Sequence, residues 1–252
     1  MAAHPGDSKY IPGTYPKRKR SAAEIASGYV REWDEARVEK KGKDFGLVEF
    51  PATICISRKL AAGAVEIADI VAEKIGYRVV DQQILQHIAI SSRLSKKTVA
   101  IFDERYPGKL RELVNLAFGE KSFIMSDYTK QLFSSVYAIA ALEPTIFVGR
   151  GVHLLLSREK VLVVRIICSV DFRIQRLVSL MNISGEEAAK QIRELDAQQA
   201  AFFNEVYNKK DASPYEFDLV INYDHFKEPR SVADIILSAF REKFGLPETD
   251  ET

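Results

Sequence analysis

Five short apolar runs, separated by stretches with helical patterning, constrain the fold of this chain more than any other feature. Each run is continuously apolar rather than alternating, which is typical of strands buried on both faces. The runs cover residues 53–57, 78–80, 145–148, 161–168 and 218–222. Helices are predicted at 64–76, 82–91, 170–181, 184–207 and 229–244, and 95–142 is predicted to be helical, with Ser95 and Ser126 as N-caps. This alternation predicts an α/β fold with a five-stranded parallel sheet covered by helices on both faces.

The N-terminal part of the chain differs from the rest. Residues 1–20 are rich in Pro, Gly and charge, which predicts disorder. The basic run at 17–20 is interpreted as a solvated charge cluster, with contact to an acidic partner as the alternative. A helix is predicted at about 22–41, where Ile25, Tyr29 and Trp33 recur at helical spacing. This stripe would dock on the main domain or on a second subunit, giving a homodimer.

The composition argues against several classes of function. In 252 residues, 36 Lys and Arg nearly balance 35 Asp and Glu, so nothing favours nucleic acid or an anionic membrane as the main partner. No apolar run approaches the roughly 20 residues that span a bilayer, and the N-terminus lacks a hydrophobic signal core. Cys55 and Cys168 fall in apolar runs, which predicts buried reduced thiols in a cytoplasmic protein rather than a disulfide or a metal site.

The end of the first strand has the layout of a phosphate-binding loop. Ligands of parallel sheets lie beyond the carboxyl ends of the strands. Here Ser57, Arg58 and Lys59 are followed by the bend Ala61-Ala62-Gly63-Ala64 and then by a helix. Backbone N–H groups and the positive end of the helix dipole would bind the phosphate, and the two cations would add charge. A plain strand-to-helix connection remains the alternative.

Two other strand ends carry candidate binding residues. Asp81 follows the second strand, where it would accept a hydrogen bond from the ribose or base of a nucleotide, or orient an arginine. It could also cap the next helix, alone or together with either of these roles. Arg150, between two glycines after the third strand, is suited to bidentate phosphate contacts; a surface arginine in a turn is the alternative. The nearby His153 has no second ligand at metal spacing, so a packed or surface histidine is expected rather than a metal site.

The last candidate residues lie after the fourth strand and the long helix. Arg173 and Arg176 are three positions apart and share a helical face. Both could reach transferred phosphates or clamp an adenine ring from above; a solvated helix face is the alternative. Lys210, in the Lys-Lys-Asp loop at 209–211, would close over phosphates as part of a lid, or be a solvated loop charge.

Taken together, these stretches resemble the cytidylate-kinase-like family, a branch of the P-loop nucleoside monophosphate kinases. The resemblance rests on residues 56–89, 146–156, 165–196 and 207–224. They match, in order, the family's phosphate loop and second strand, its third strand with Gly-Arg-Gly, its fourth strand with lid helices, and its last strand. The likeness spans about residues 53–240 and leaves the first fifty unexplained.

The resemblance implies a fold, a domain division and an activity. The fold would be a three-layer P-loop NTPase type with a helical insertion and a helical lid at about 182–214, within a domain at 46–246 preceded by an N-terminal extension at 1–45. The activity would be transfer of the γ-phosphoryl of ATP, with Mg²⁺, to CMP, dCMP or a related monophosphate. The loop at 57–64 would cradle the donor phosphates. Asp81 and Arg150 would face the acceptor, and Lys59, Arg173, Arg176 and Lys210 would approach the transferring group.

Four of the departures from the family pattern affect the residues that would handle phosphate. Ala61 and Ala64 stand at glycine positions of the loop, Val65 stands at an arginine, and Gln199 replaces an arginine of the lid. Losing a cation beside a transferring phosphoryl group can lower the rate by several powers of ten. Three functions therefore remain open: an active nucleotide kinase, a degenerate kinase fold that binds nucleotide or a partner without turnover, and a P-loop kinase for another small acceptor.

Overall fold

The computed structural model describes residues 9–39, 50–106, 108–118, 126–210 and 212–247. The strands are β1 Thr53–Arg58, β2 Arg78–Asp81, β3 Thr145–Val148, β4 Val161–Ile167 and β5 Leu219–Asn222. They form one parallel sheet in the order β2-β3-β1-β4-β5. The predicted α/β fold is confirmed, and each strand lies within one or two residues of its predicted bounds. Cys55 is buried in β1, whereas Cys168 is half-buried just beyond β4.

Helices cover both faces of the sheet. They are α1 Ala22–Glu39, α2 Ala64–Ile75, α3 Gln82–Ile90, α4 Ser92–Arg105, α5 Lys109–Phe118, α6 Asp127–Leu142, α7 Val170–Met181, α8 Gly185–Tyr207 and α9 Pro229–Phe244. Neighbouring β1 residues point to opposite faces, as a strand requires. Cys55 joins a core with α1, α3, α4 and α6, and Ile54 and Ile56 join a core with α2 and α9. The P-loop-type three-layer architecture follows from these two cores.

The start of the helical insertion differs from its prediction. Ser95 is not an N-cap; α4 begins three residues earlier, and the side chain of Ser91 caps it by accepting the N–H of Leu94. Ser91 directly follows the end of α3, where its side-chain oxygen can satisfy the exposed N–H groups of the next helix. Ser126 caps α6 as predicted. None of the described helices has the length and apolarity needed to cross a membrane.

The apolar stripe of α1 is buried within the same chain. Ile25 and Trp33 are under 10% exposed, and α1 packs on α3 and α4. The Trp33 indole N–H also donates to the Glu143 carboxylate at 2.6 Å. Docking on the main domain, one of the two predicted uses of this stripe, is thus what the structure shows. Dimerisation through α1 stays a prediction, and it would need the opposite face of the helix.

Residues 9–18, named the N-terminal strap below, are the main departure from the sequence analysis. Disorder was the prediction for this stretch, yet Tyr10 and Tyr15 are buried. Arg18 is not a solvated charge, because it forms an ion pair with the buried Asp81. Its neighbours Lys17 and Lys19 are exposed, as predicted for a solvated charge cluster. Residues 1–8 lie outside the described part of the chain.

Candidate functional site

The turn between β1 and α2 has the backbone of an anion-binding loop. Gly63 has φ 74°, and a Cβ there would lie 3.1 Å from the Tyr223 ring and 3.3 Å from Cζ of Arg176. Ala61 also adopts a left-handed φ of 61°, which an alanine adopts only at a cost. No side chain caps α2, so its first N–H groups and its positive dipole end are available to the loop. These features fit a phosphate.

The N-terminal strap lies over this loop. A cavity of about 20 Å³ remains between them, lined on one side by Tyr10, Gly13 and Tyr15. The Tyr15 hydroxyl donates to Asp69 of α2 at 2.6 Å. The N–H of Tyr10 donates to Gln191 of α8 at 2.9 Å. The strap therefore contacts the loop, α2 and α8.

Asp81 occupies the helix-cap position that the sequence suggests. One carboxylate oxygen accepts the N–H groups of Gln83 and Ile84, each at 2.9 Å, and the other oxygen accepts from Arg18. The side chain is only 2% exposed. The cap is thus shown, whereas contact with a nucleotide stays a prediction, and in this conformation Arg18 already occupies the carboxylate.

Arg58 is a buried cation beside the loop. Its guanidinium donates to the Gln82 amide oxygen at 2.9 Å and lies against Gly149, where a Cβ would be 3.1 Å from Nη2. Burial lowers the pKa of Arg58 to about 10. The glycine before Arg150 thus allows close approach of a side chain from the neighbouring strand.

Arg150 faces the same region. It donates to the Gln86 amide oxygen at 2.7 Å and stacks 4.3 Å from the Phe202 ring centroid. Burial lowers its pKa as well, and its Nε is buried without a hydrogen-bond partner. Within the described ranges neither Arg58 nor Arg150 pairs with a carboxylate; each donates its side-chain hydrogen bonds to a neutral amide. A bound anion at this place would neutralise both cations.

Two cavities share Arg150 and Gln82 in their walls. The smaller, of about 60 Å³, is lined by Arg58, Arg150, Gln199 and Phe202, among others. The larger, of about 370 Å³, lies between α3, α8 and the N-terminal strap. Its wall carries Arg150 and the amides of Gln82, Gln83, Gln86, Gln191 and Gln198. Its volume is within the range of small-molecule sites, and amides both donate and accept hydrogen bonds.

The predicted lid arginines are both engaged in ion pairs. Arg173 is 4% exposed and makes two hydrogen bonds of 2.9 Å to the Asp196 carboxylate. Arg176 donates to Glu66 at 2.7 Å and lines the cavity at the loop. Of the two, Arg176 lies where a loop-bound anion would sit, whereas Arg173 braces α7 against α8.

The remaining predicted residues are farther from these cavities or less constrained. Lys59 and Lys210 are exposed, and neither forms an ion pair with another described residue. Lys59 still lines the cavity at the loop. Lys210 precedes Asp211, which lies outside the described residues. The catalytic roles expected of both lysines stay predictions.

Several residues of the site were missed by sequence reasoning. Gln199, treated only as a lost arginine, donates to the Arg58 carbonyl at 3.1 Å, and its amide oxygen is buried without a partner. Gln82 and Gln86 hold the two arginines; their spacing of four, directly after Asp81, places them on one helix face and is a signal that was present in the sequence. His153 is packed as predicted, 5.5 Å from the Phe217 ring, and burial lowers its pKa to about 4.

The chain is similar to known proteins in both sequence and fold. A family model described as "Cytidylate kinase-like family" matches residues 53–225, more than half of the chain. The crystal structure of an uncharacterized protein from Eubacterium ventriosum ATCC 27560 has a similar fold, with a TM-score of 0.56 and 16% sequence identity. The match covers 75% of the present chain and 98% of the Eubacterium chain. The comparison with curated proteins finds no match.

Two kinases are also similar, at lower scores. Shikimate kinase from Bacteroides thetaiotaomicron has TM-score 0.39 and 15% identity, covering 77% of this chain and 99% of its own. Dephospho-CoA kinase from Campylobacter jejuni has TM-score 0.36 and 12% identity, covering 77% and 97%. Identities this low say nothing about substrate.

Proposed function

The chain belongs to the cytidylate kinase-like family, and from this premise we propose that it transfers the γ-phosphoryl of ATP to CMP, dCMP or a related nucleoside monophosphate. The observation that carries the proposal is the pair Arg58 and Arg150, two buried cations that line one cavity and donate their side-chain hydrogen bonds to neutral amides. An acceptor phosphate placed there would neutralise both. The amides of α3 and α8 would then face the nucleoside.

The donor would lie on the loop at 57–64. The uncapped N–H groups of α2 and the dipole of that helix support this placement. Ser57, Arg58, Lys59 and the bend Ala61-Ala62-Gly63-Ala64 would surround the β- and γ-phosphates. The bend supplies N–H groups rather than side chains, so its alanines do not remove the donors themselves.

The transfer itself needs positioning and charge neutralisation. An oxygen of the acceptor phosphate bonds to the γ-phosphorus while the bond from that phosphorus to the bridging oxygen breaks, and ADP leaves. We assign Arg176 and Lys59 to the transferring group because both line the loop cavity. Arg173 would join only if it exchanged Asp196 for a phosphate, and Lys210 only if its loop closed. Asp81 would contact the acceptor only after releasing Arg18.

Mg²⁺ fits this site as a companion of the nucleotide. Among the residues that the structure describes, no cluster of three or more His, Cys, Asp or Glu side chains could hold a metal ion by itself. Mg²⁺ commonly keeps several waters and binds through substrate phosphates. The ion would supply charge neutralisation between the phosphates, with the chain contributing no complete ligand set.

The test is an ADP-release assay with ATP and each of CMP, dCMP, UMP and AMP. We expect turnover with a cytidine nucleotide, and a loss of at least about 100-fold in kcat/KM in Arg150→Ala. Arg193→Ala is the matched control, because Arg193 is exposed on α8; it should leave turnover unchanged. Equal rates in both variants, or no turnover with any acceptor, would refute the proposal.

A second candidate function is nucleotide binding without turnover. The observations that favour it are the Arg173–Asp196 ion pair, Val65 and Gln199 in place of two cations, and the strap over the loop. Calorimetric binding of ATP without ADP release from any acceptor would support this second function over the first.

A further inference from the structure

We propose that the N-terminal strap, residues 9–18, is a built-in cover of the phosphate loop that must leave before a triphosphate enters. This inference rests on the proposed function only in taking the loop as a phosphate site. The strap would thereby set the affinity for the donor and act as an autoinhibitory segment.

The space between strap and loop is the first argument. The cavity of about 20 Å³ holds about one water molecule. A triphosphate is several times larger, so it cannot enter while the strap is in place. The larger cavity of about 370 Å³ remains open on the acceptor side. The occlusion therefore concerns the donor site.

The strap is also anchored at sites that a nucleotide would use. Arg18 pairs with Asp81, which is the candidate acceptor residue. Gly13 passes so close to Asp81 that a Cβ there would lie 2.5 Å from a carboxylate oxygen. Tyr15 bonds to Asp69 of α2. A specific contact at each of three points distinguishes the strap from a loosely collapsed tail.

The departures of the loop from its family coincide with the strap. Ala61 belongs to the same buried apolar cluster as Tyr10, and Val65 belongs to the same cluster as Tyr15. Glycine or arginine at these two positions would offer the tyrosines less apolar surface. Apolar side chains of the loop thus share buried clusters, and the wall of the loop cavity, with both tyrosines of the strap.

The test compares anion binding by full-length variants, with inorganic tripolyphosphate as the probe and calorimetry as the measurement. The variant Tyr10→Ala/Arg18→Gln removes two anchors, and Lys17→Gln/Lys19→Gln is the control, because both lysines belong to the same basic run and are exposed. We expect at least about tenfold tighter binding by the first variant and no change in the control, since apparent affinity scales with the uncovered fraction. Equal affinity in all three proteins, or no binding by the uncovered variant at millimolar probe, would overturn the inference.

Hydrogen exchange in the wild type tests the same idea without any substitution. Saturating tripolyphosphate should remove the exchange protection of residues 9–18 and leave α1 protected. If the probe binds while the strap stays protected, the inference is wrong. The kinase assay separates the two proposals. If Tyr10→Ala/Arg18→Gln binds tripolyphosphate more tightly but releases no ADP, only the proposed kinase function is overturned. If this variant and the wild type turn over at equal rates, only the proposal that the strap covers the loop is overturned.

Discussion

Replacing Arg58 by methionine should remove anion binding without destabilising the protein. Burial lowers the pKa of Arg58 from 12.5 to about 10. At about 1.4 kcal/mol per pKa unit, carrying this charge inside the fold costs roughly 3 kcal/mol. The sign follows from linkage: a base whose pKa is lowered in the folded state destabilises that state wherever both states are protonated, which includes neutral pH. The cost begins to shrink above about pH 10, where the folded-state guanidinium loses its proton, and it is gone only when the unfolded-state guanidinium loses its proton as well.

Two losses offset this gain in the variant. The Gln82 amide oxygen loses its donor, which costs about 1–3 kcal/mol, and the packing of the guanidinium against Gly149 is lost. Methionine keeps the apolar stem and adapts to irregular space. The expected free energy of unfolding is therefore between unchanged and about 2 kcal/mol higher, whereas most buried substitutions lower it by about 1 kcal/mol.

The assay is urea unfolding at neutral pH, with and without millimolar inorganic phosphate. Phosphate should stabilise the wild type through mass action and leave Arg58→Met unchanged. Arg193→Met is the control: it removes an exposed arginine, and it should keep the phosphate response. If Arg58→Met lost more than about 1 kcal/mol and still responded to phosphate as the wild type does, a buried anion site at Arg58 would be ruled out.

Three further substitutions test other parts of the structure. Gly63→Ala should lower the free energy of unfolding by about 1–3 kcal/mol, because φ is 74° and Tyr223 is 3.1 Å from the new Cβ. The control Gly28→Ala adds its Cβ in open space on α1 and should not lower stability. Equal thermal stability of the two variants would contradict this prediction. His153, facing Glu216, Lys209 and Arg165, has a pKa of about 4. As pH drops from about 6.5 to 4, the His153 imidazole is protonated in the unfolded state but stays neutral in the folded state. The free energy of unfolding should therefore fall by up to roughly 3 kcal/mol over this range. In His153→Gln most of this slope should disappear, and an unchanged slope in urea unfolding would show that other groups cause it. Trp33→Phe should cost about 1–2 kcal/mol by circular dichroism melts, because Glu143 loses the indole donor; an unchanged melting temperature would argue against docking of α1 through this contact.

The sheet was predictable because its signal is local. A strand buried on both faces must be continuously apolar, and runs such as 145–148 and 161–168 satisfied this almost residue for residue. The cap of α3 at Asp81 was predictable for the same reason: side chain and N–H groups are neighbours in the chain. The boundary at Ser95 was wrong because several serines in one stretch compete to cap, and only the geometry after α3 selects among them.

The strap and the buried arginines were not predictable from local patterns. Arg18 looked solvated among four basic residues, and its partner Asp81 lies 63 positions away. Tyr10 and Tyr15 are too few to outweigh the Pro, Gly and charge around them in a composition argument. For Arg58 the sequence indicated a phosphate ligand but not its burial, which depends on Gly149 and Gln82 arriving from other strands and helices. Sequence reasoning missed these contacts because composition and periodicity carry no information about pairing between residues that are far apart in the chain.

The sheet order has a consequence for how the protein is made on the ribosome. β1 lies in the middle of the sheet, yet its two neighbours are the third and fourth strands to be synthesised: Ile54 pairs with Ile146 and with Leu162. Because translation adds about 5–20 residues per second, the first partner of β1 emerges roughly five to twenty seconds after β1 itself. Throughout that interval, a segment that is buried at every position in the folded protein has no strand on either edge. The loop that follows β1 is therefore completed only after the ribosome has added the 92 residues that separate Ile54 from its first partner, Ile146 (146 − 54 = 92).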